Sequence, residues 1–586
     1  MNQSFQSAIR NPQSAILICL YVAARAWRLT ADCLWFDEIF SLHAARHTWS
    51  ELWRFAAADL IHPPLFYALL KVWTTAGDSL LWLRFLPALA STLALVPFFL
   101  LARELRLARS ATNIALLLLA ANGYLIKYAQ ELRMYSLLLL LALLSLWLFA
   151  KLLNAARPTR TLLLALTATN LLLAYTHYYG LVVVACEAVF LALKDRRKLA
   201  PFLLTCAAVA LLFAPWVASV AGASSEGGGV AQNVGWIERP RARDLAQLFA
   251  LLNEPFYFRQ SSAQPLYARG GLLLGLLFTG LPVAALLARA LRRKTTDPFD
   301  DIERDNAHAR RDDTERDDAE RDDDERDARR ADAKRVDAER DEERVDTERD
   351  AVKFLLFFTL TPVALAFAAS YALPFSVWGT RHLIVVAAPY ALLAGLALRS
   401  FRPAWLKTAV LVLVCCWFFT SGALTLLRRE GAYIWCAWDG LARSAARDET
   451  TNEANVNPAT HETDAGRARV NLYAFEDLVA YHLWFALDSS GERAMKVSVI
   501  KGVPGATEDP AYFIPRRFDR IAVSTPDSLD SQRFYAAFRA GAWDESQAPL
   551  KFILSRGYRA ERIYETNAQG QRAFLVLFTR ADEATK

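Results

Sequence analysis

Two adjacent carboxylates, Asp37 and Glu38, follow the first apolar segment of the chain, in a stretch that we predict to be a polar loop. Carboxylates at such a boundary solubilise a loop, cap a helix or do chemistry. Trp49, Trp53 and the prolines after His62 would hold this loop against a membrane. Asp37 is therefore a candidate general base, with a helix cap or a solvated loop acid as the alternative. Glu38 could orient Asp37 or bind a substrate hydroxyl, although two adjacent side chains rarely project into one small site.

Other polar side chains lie in short turns between apolar segments. The candidate substrate-binding residues among them are Glu131, Arg133, Tyr135, His62, His177, Arg381 and His382. An arginine offers a fork of donors that matches phosphate oxygens. Arg133 could therefore contact a phosphate, and Arg381 with His382 could clamp one. The alternatives are a surface ion pair at Glu131 and Arg133 and snorkelling cations at Arg381 and His382.

Metal binding is not favoured by the histidine spacing. His62 and His177 have no second histidine three or four residues away, which is the spacing typical of helical metal ligands. Ordinary polar contacts are the preferred interpretation for both residues. The sequence predicts no cofactor and no metal ligand, and it leaves dependence on a divalent metal open.

The composition divides the chain into two unlike parts. Residues 301–350 carry 23 acidic and 13 basic residues, so they hold a net charge of −10 within a chain whose net charge is +6. The remainder therefore carries +16, mostly beside apolar segments, which is a sign of membrane topology rather than nucleic-acid binding. Of the seven cysteines, only Cys33 and Cys436 lie outside apolar segments. They could face an oxidising compartment and could form a bridge.

The apolar segments predict an integral membrane protein with about eleven transmembrane helices. The predicted spans are 15–29, 85–102, 111–126, 134–153, 162–175, 180–193, 199–220, 272–291, 352–373, 383–398 and 405–427. The stretch 64–77 is short, and we predict that it lies at the membrane interface. With that assignment, five basic clusters share one face, as the positive-inside pattern requires. The N-terminus is then cytoplasmic and the C-terminal part extracytoplasmic.

Two further regions have their own composition. Residues 297–351 repeat Glu-Arg-Asp units and contain almost no apolar side chains. They are therefore predicted to be a cytoplasmic insert that is either disordered or a solvated single helix. The alternative is an arm that binds a partner. The insert separates residues 1–296 from 352–427, the two parts of the transmembrane domain. Residues 428–586 read as a soluble α/β domain. Its predicted strands are 470–475, 496–500, 520–524, 562–565 and 572–578, and its predicted helices are 476–487 and 531–540.

With these residues placed, the chain resembles the C-type glycosyltransferase superfamily, in particular bacterial relatives of protein O-mannosyltransferases and aminoarabinose transferases. The resembling segments are LWFDE at 34–38, HPPLFY at 62–67, RFLP at 84–87, QELRMY at 130–135, YTHYYG at 175–180 and RHL at 381–383. They span residues 15–427 apart from the charged insert, which is not a recognised feature of the family. The resemblance rests on the order of these segments along the chain and on their predicted location on the same side of the membrane.

The resemblance implies an inverting transfer of a sugar from a polyprenyl-phosphate donor to an acceptor hydroxyl at the outer face of a bacterial cell membrane, with Asp37 as the base. The acceptor could be a lipid, a glycan or a protein, and nucleic acid is not an expected partner. One alternative is a transporter, although the ionisable residues cluster at one face rather than at mid-membrane. The other is a transferase of the same architecture that moves a different lipid-linked group.

Overall fold

The computed structural model describes most of the chain. The described residues are 11–225, 235, 237–255, 272–273, 275–292, 320–427, 433–456, 470–492, 495–506, 514–516, 518–568 and 570–580. The N-terminal helices are α1 (Pro12–Ala26), α2 (Phe36–Arg46), α3 (Trp49–Asp59), α4 (Leu65–Trp73), α5 (Leu80–Leu93), α6 (Leu95–Glu104), α7 (Arg109–Ala121), α8 (Gly123–Gln130), α9 (Tyr135–Asn154), α10 (Arg160–Thr176), α11 (Tyr179–Lys194) and α12 (Leu199–Ser225). They are followed by α13 (Ala242–Asn253), a π-helical turn (Leu276–Gly280), α14 (Leu281–Arg292), α15 (Glu320–Ala372), a 3₁₀ helix (Thr380–Val386), α16 (Ala387–Ser400) and α17 (Ala404–Leu427).

Within the described residues, helical segments occupy most of each predicted span. The spans 85–102 and 111–126 are each divided between two helices, and α1 ends at Ala26, before the predicted end at 29. Among the described residues, six stretches are long and apolar enough to cross a membrane: Leu80–Glu104, Tyr135–Asn154, Arg196–Ser225, Asp346–Ala372, Thr380–Ser400 and Ala404–Leu424. The stretch Leu65–Ala76 is apolar but too short for a bilayer, which needs about 20 residues. The chain is therefore a polytopic helical membrane protein, and the count of eleven spans stays a prediction.

The polar loop predicted after the first span is wrong up to residue 59, because this segment folds into the two short helices α2 and α3; α4 lies in the short apolar stretch 64–77 that was predicted separately. The signals for α2 and α3 are capping interactions. At the start of α3, Thr48 and Glu51 form a reciprocal capping box. At the start of α2, the Glu38 carboxylate accepts the backbone N–H of Trp35 at 3.2 Å. The helices hold Asp37 in the first turn of α2 instead of leaving it in a flexible loop.

The charged insert is helical where the structure describes it. Helix α15 runs from Glu320 through the predicted boundary at 352 to Ala372, so a single helix continues from the charged repeat into a membrane span. This agrees with the single-helix alternative for residues 320–351. The prediction for residues 297–319 lies outside the described residues.

The C-terminal domain contains helices α18 (Ala437–Val456), α19 (Asp477–Ser490) and α20 (Leu550–Ser555) and strands β1 (Val470–Ala474), β2 (Met495–Ile500), β3 (Ala522–Ser524), β4 (Arg533–Ala540), β5 (Tyr558–Ala568) and β6 (Gln571–Arg580). The strand order is β3-β2-β1-β4-β6-β5. Strand β1 pairs in parallel with β2 and β4, whereas β6 pairs antiparallel with β4 and β5. The predicted helix at 531–540 is wrong: it is the central strand β4, buried on both faces, where aromatic residues four apart imitated a helical pattern.

The C-terminal domain packs directly on α2. Tyr481 of α19 hydrogen-bonds His43 of α2 at 2.9 Å, and Ile39 belongs to the same apolar cluster as Trp438 and Tyr481. The bridge that the sequence allowed between Cys33 and Cys436 is present. The bridge joins the residues just before α2 to the first described residues of the C-terminal domain. Helix α2, which carries Asp37, is therefore fixed to this domain by the disulfide as well as by packing.

Candidate active site

Asp37 forms an ion pair at the end of the helical bundle. Arg381 donates from Nη1 to Oδ2 of Asp37 at 2.9 Å, and only 15% of the Asp37 side chain is exposed. Burial alone would raise the pKa of Asp37, but the nearby guanidiniums of Arg133 and Arg381 outweigh burial and hold this pKa below its usual value. Asp37 is therefore ionised at neutral pH, which is the state that a general base requires.

Glu38 points to a different set of partners and is fully buried. Arg84 donates from Nε to Oε1 at 3.0 Å and from Nη2 to Oε2 at 2.7 Å. The backbone N–H groups of Leu132 and Trp35 complete the set at 2.8 and 3.2 Å. Arg84 also donates to three backbone carbonyls between residues 29 and 33. Glu38 thus joins the start of α2 to α5 and to the turn before α9.

Arg133 is the central cation of the site. Its Nη1 donates to the backbone carbonyl of Asp37 and to Oγ of Ser41, both at 3.2 Å. Its Nη2 lies 3.2 Å from Nε2 of His62. Its Nε is buried and has no hydrogen-bond partner among the described residues. Arg133 therefore positions α2 and still has a donor available for a ligand.

Three histidines that are far apart in sequence meet beside Arg133. One nitrogen each from His62, His177 and His382 lies within 4.8 Å of the other two. The sequence predicted all three as site residues, but it did not show that their rings meet, because the three residues come from three separate turns. Burial, and then the charges of Arg133 and Arg381, hold the pKa of His62 well below its usual value, so its imidazole is neutral.

The donor arrangement of this cluster suits an anion better than a metal ion. The backbone N–H of Tyr179 donates to Nδ1 of His177 at 3.1 Å, which places the proton of the neutral ring on Nε2. That Nε2 is buried and has no hydrogen-bond partner among the described residues. Arg133 donates toward the lone pair of His62, and Arg381 adds a second positive charge nearby. A metal ion would need a free lone pair on each ring, and of the three only His382, whose two ring nitrogens have no partner among the described residues, offers one. The three residues therefore do not form a ready metal site.

Tyr135 and Glu131 border the same cluster. The Tyr135 hydroxyl is buried without a hydrogen-bond partner in the described chain, and its ring lies against His177 and His382. The guanidinium carbon of Arg381 lies 5.9 Å from the centre of this ring. Burial raises the pKa of Glu131 to about 7, despite the opposing charge of Lys127. Glu131 can therefore exchange a proton near neutral pH.

Two residues at the site were missed by sequence reasoning. Asp59, at the end of α3, places Oδ2 3.3 Å from Nδ1 of His62, and burial raises the pKa of Asp59 to about 7. The sequence signal available for Asp59 was its position three residues before His62. Arg84 appeared in a resembling segment, but nothing in the sequence assigned it to Glu38. All nine predicted site residues lie in or directly beside this one cluster of side chains.

The chain matches no protein-family model and no curated protein sequence. Its structure is similar to that of ArnT from Cupriavidus metallidurans bound to undecaprenyl phosphate. The two chains are 13% identical, the match covers 96% of this chain and 97% of that chain, and the TM-score is 0.49. It is also similar to the archaeal oligosaccharyltransferase AglB from Archaeoglobus fulgidus in complex with an inhibitory peptide and a dolichol-phosphate, with 13% identity and a TM-score of 0.39. That match covers 82% of this chain and 63% of the oligosaccharyltransferase, so the chain spans less than two thirds of its length.

Proposed function

We propose that this integral membrane protein is a glycosyltransferase that moves a sugar from a polyprenyl-phosphate donor to an acceptor hydroxyl, with Asp37 as the general base. One observation carries the proposal. An ionised, buried carboxylate lies in the same small cluster as two guanidiniums and several buried donors that have no partner among the described residues. A base for a hydroxyl and a set of donors for a phosphate are the two requirements of this transfer.

The base acts through one oxygen. Oδ2 of Asp37 is engaged by Arg381, so Oδ1 accepts the proton of the acceptor hydroxyl while that oxygen forms its bond to the anomeric carbon. The bond from this carbon to the phosphate oxygen breaks in the same step, and the electron pair leaves with the phosphate. A single displacement of this kind inverts the anomeric centre, as the sequence resemblance implies.

The leaving phosphate needs charge stabilisation more than it needs a proton. Nε of Arg133, the hydroxyl of Tyr135 and Nε2 of His177 are buried donors without a partner in the described chain. Leaving such groups unsatisfied is costly, and a phosphate would satisfy several at once. Arg381 and His382 border the same space, so we assign all five residues to the phosphate side of the site.

Glu38 and Glu131 receive different roles. Because four donors already occupy the Glu38 carboxylate, we assign Glu38 to positioning α2 rather than to chemistry. Glu131, whose pKa burial raises to about 7, is assigned to the acceptor side together with the Asp59–His62 pair. His62 thereby connects the acceptor side to Arg133.

The orientation follows from the distribution of charge along the sequence. The basic clusters between spans favour a cytoplasmic location, which puts the site and the C-terminal domain on the outer side of the membrane. A donor whose lipid phosphate lies at the membrane surface would then meet Arg133 and Arg381. The acceptor would come from the extracytoplasmic side, and a bacterial cell membrane is the setting that the resemblance implies.

The proposal is tested with purified protein in lipid nanodiscs. The protein is incubated with a panel of labelled donors, which are polyprenyl-phosphate sugars, phosphatidylethanolamine and lipid-linked glycans, and with lipid, glycan and peptide acceptors. Product and released polyprenyl phosphate are quantified. We expect transfer of one sugar class, with an inverted anomeric configuration by NMR. Transfer of phosphoethanolamine or of an assembled glycan in place of a single sugar would contradict the donor assignment. The same protein is also reconstituted into sealed lipid vesicles, and sugar uptake there without any transfer would contradict the enzyme assignment.

A further inference from the structure

A second polar cluster lies inside the helical bundle, away from the candidate active site. It is formed by Ser145 of α9, Asn170 of α10 and Glu187 of α11, each at most 1% exposed. Oγ of Ser145 lies 2.5 Å from Oδ1 of Asn170 and 2.6 Å from Oε1 of Glu187. Nδ2 of Asn170 lies 3.1 Å from Oε2 of Glu187. The three side chains therefore form a closed ring of three contacts.

The number of hydrogens in this ring fixes its protonation. Three hydrogen bonds require three hydrogens, and the Ser145 hydroxyl has one. The Asn170 amide touches its two neighbours through one oxygen and one nitrogen, so it supplies one hydrogen whichever way the amide is oriented. The third hydrogen has to come from Glu187. A carboxylate there would leave two acceptor oxygens facing each other without a proton.

The surroundings of Glu187 offer nothing to neutralise a negative charge. Within the described chain Glu187 has no ion-pair partner. The titratable side chains facing it are Cys186 beside it on α11 and Cys206 on α12, and neither carries positive charge. On the side of α15, phenylalanines pack against Phe190 of α11. An unpaired charge among membrane-spanning helices is costly, which agrees with the hydrogen count.

We propose that Glu187 is a protonated carboxylic acid that closes a hydrogen-bond ring between α9, α10 and α11, and that this ring positions the helix ends carrying Tyr135 and His177. The positioning of Tyr135 and His177 by this ring rests on the proposed function. Ser145 lies ten residues along α9 from Tyr135, which is about 15 Å of helix. Asn170 lies seven residues before His177, or about 10 Å. The ring therefore lies beneath the site and fixes the spacing of the helices that form its floor.

The protonation state is tested by infrared spectroscopy of the intact protein. We expect the wild-type spectrum minus that of Glu187→Gln to show a carboxylic-acid carbonyl band, because the contributions of Asp59 and Glu131, whose pKa values are about 7, are common to both spectra and cancel. The matched control is Glu449→Gln in the C-terminal domain. Glu449 is also buried, but its two oxygens accept two hydrogen bonds from Arg533 and one from Tyr535, so its replacement should leave the band intact. A band unaffected by Glu187→Gln would overturn the proposal.

Thermal unfolding provides a second readout that needs no turnover. A glutamine amide supplies the third hydrogen without being able to ionise, so the unfolding temperature of Glu187→Gln should fall less than that of the wild type from neutral to alkaline pH. The loss caused by ionisation of Asp59 and Glu131 is common to both proteins. The wild type should lose stability as the pH is raised, because ionisation removes the closing hydrogen and leaves a buried charge. Glu187→Ala should be less stable at every pH. If the glutamine and alanine variants are equally destabilised, the hydrogen count is wrong.

The positioning role is tested by the pH profile of turnover. Both proteins share any effect of Asp59 and Glu131 on turnover, and beyond that effect we expect the wild type to lose more turnover on the alkaline side than Glu187→Gln. Superimposable profiles would overturn the positioning clause. If no donor in the panel is used at all, the proposed function fails, whereas the infrared and unfolding results still decide the protonation of Glu187.

Discussion

Replacement of Glu38 by glutamine separates a positioning role from a catalytic one. Four donors surround the Glu38 carboxylate, two from Arg84 and two from backbone N–H groups at 2.7 to 3.2 Å. A glutamine amide offers one acceptor oxygen and an NH₂ group, so at least one donor would face another donor. The Arg84 guanidinium would also stay buried without its counter-charge. Removing one partner of a buried ion pair costs about 3–5 kcal/mol, and we expect Glu38→Gln to lower the free energy of unfolding by roughly that amount.

The assay is equilibrium unfolding of the purified protein in mixed detergent, followed by tryptophan fluorescence. The matched control is Glu565→Gln, which removes an exposed pair with Arg572 at 3.6 Å and should cost only about 0–1 kcal/mol. Turnover per folded molecule should fall much less in Glu38→Gln than in Asp37→Asn. A Glu38→Gln protein with wild-type stability and no turnover would refute the reasoning, because Glu38 would then be the catalytic carboxylate.

Three further predictions concern Arg381, membrane topology and the insert. The charge of Arg381 lowers the pKa of Asp37, so Arg381→Ala should raise this pKa and move the acidic limb of the pH–rate profile to higher pH, with Arg381→Lys intermediate. An unchanged limb in both variants would assign Arg381 to the membrane surface alone. Reporters fused after Arg310 and Lys586 should lie on opposite sides of the membrane, with the first cytoplasmic. Finding both reporters on one side would contradict an odd number of spans between these two residues. Deletion of residues 300–350 should preserve turnover, and its loss with normal insertion would show a role for the insert.

The residues of the candidate site could be predicted because they are polar side chains in short segments between apolar ones. Arg133 and Arg381 lie just before the predicted spans 134–153 and 383–398, and Asp37 follows the first predicted span. The predicted alternation of spans puts all three on one side of the membrane, which made them candidates for one site without any knowledge of packing. The same argument brought His62 and His177 to the site.

The contacts within the site were not predictable, because they depend on side-chain packing between distant segments. The sequence gives no reason why Glu38 meets Arg84 or why His382 joins two other histidines. The helices around Trp49 were missed because their polar faces resemble a loop, although the capping box at Thr48 was readable. The error at β4 has a similar origin: a strand buried on both faces lacks the alternation that marks strands.

The most direct test of the central claim compares Asp37→Asn with the wild type in single-turnover rate and in donor affinity. The variant keeps the shape of the side chain but cannot accept a proton, and general-base contributions are typically about 10²–10⁴-fold. Asp78→Asn, an exposed residue outside the site, is the matched control and should behave as the wild type. We predict a rate loss of about 10²–10⁴-fold with donor affinity retained, because Arg133, Tyr135 and His177 remain in place. An Asp37→Asn protein that transfers sugar at the wild-type rate would contradict the account.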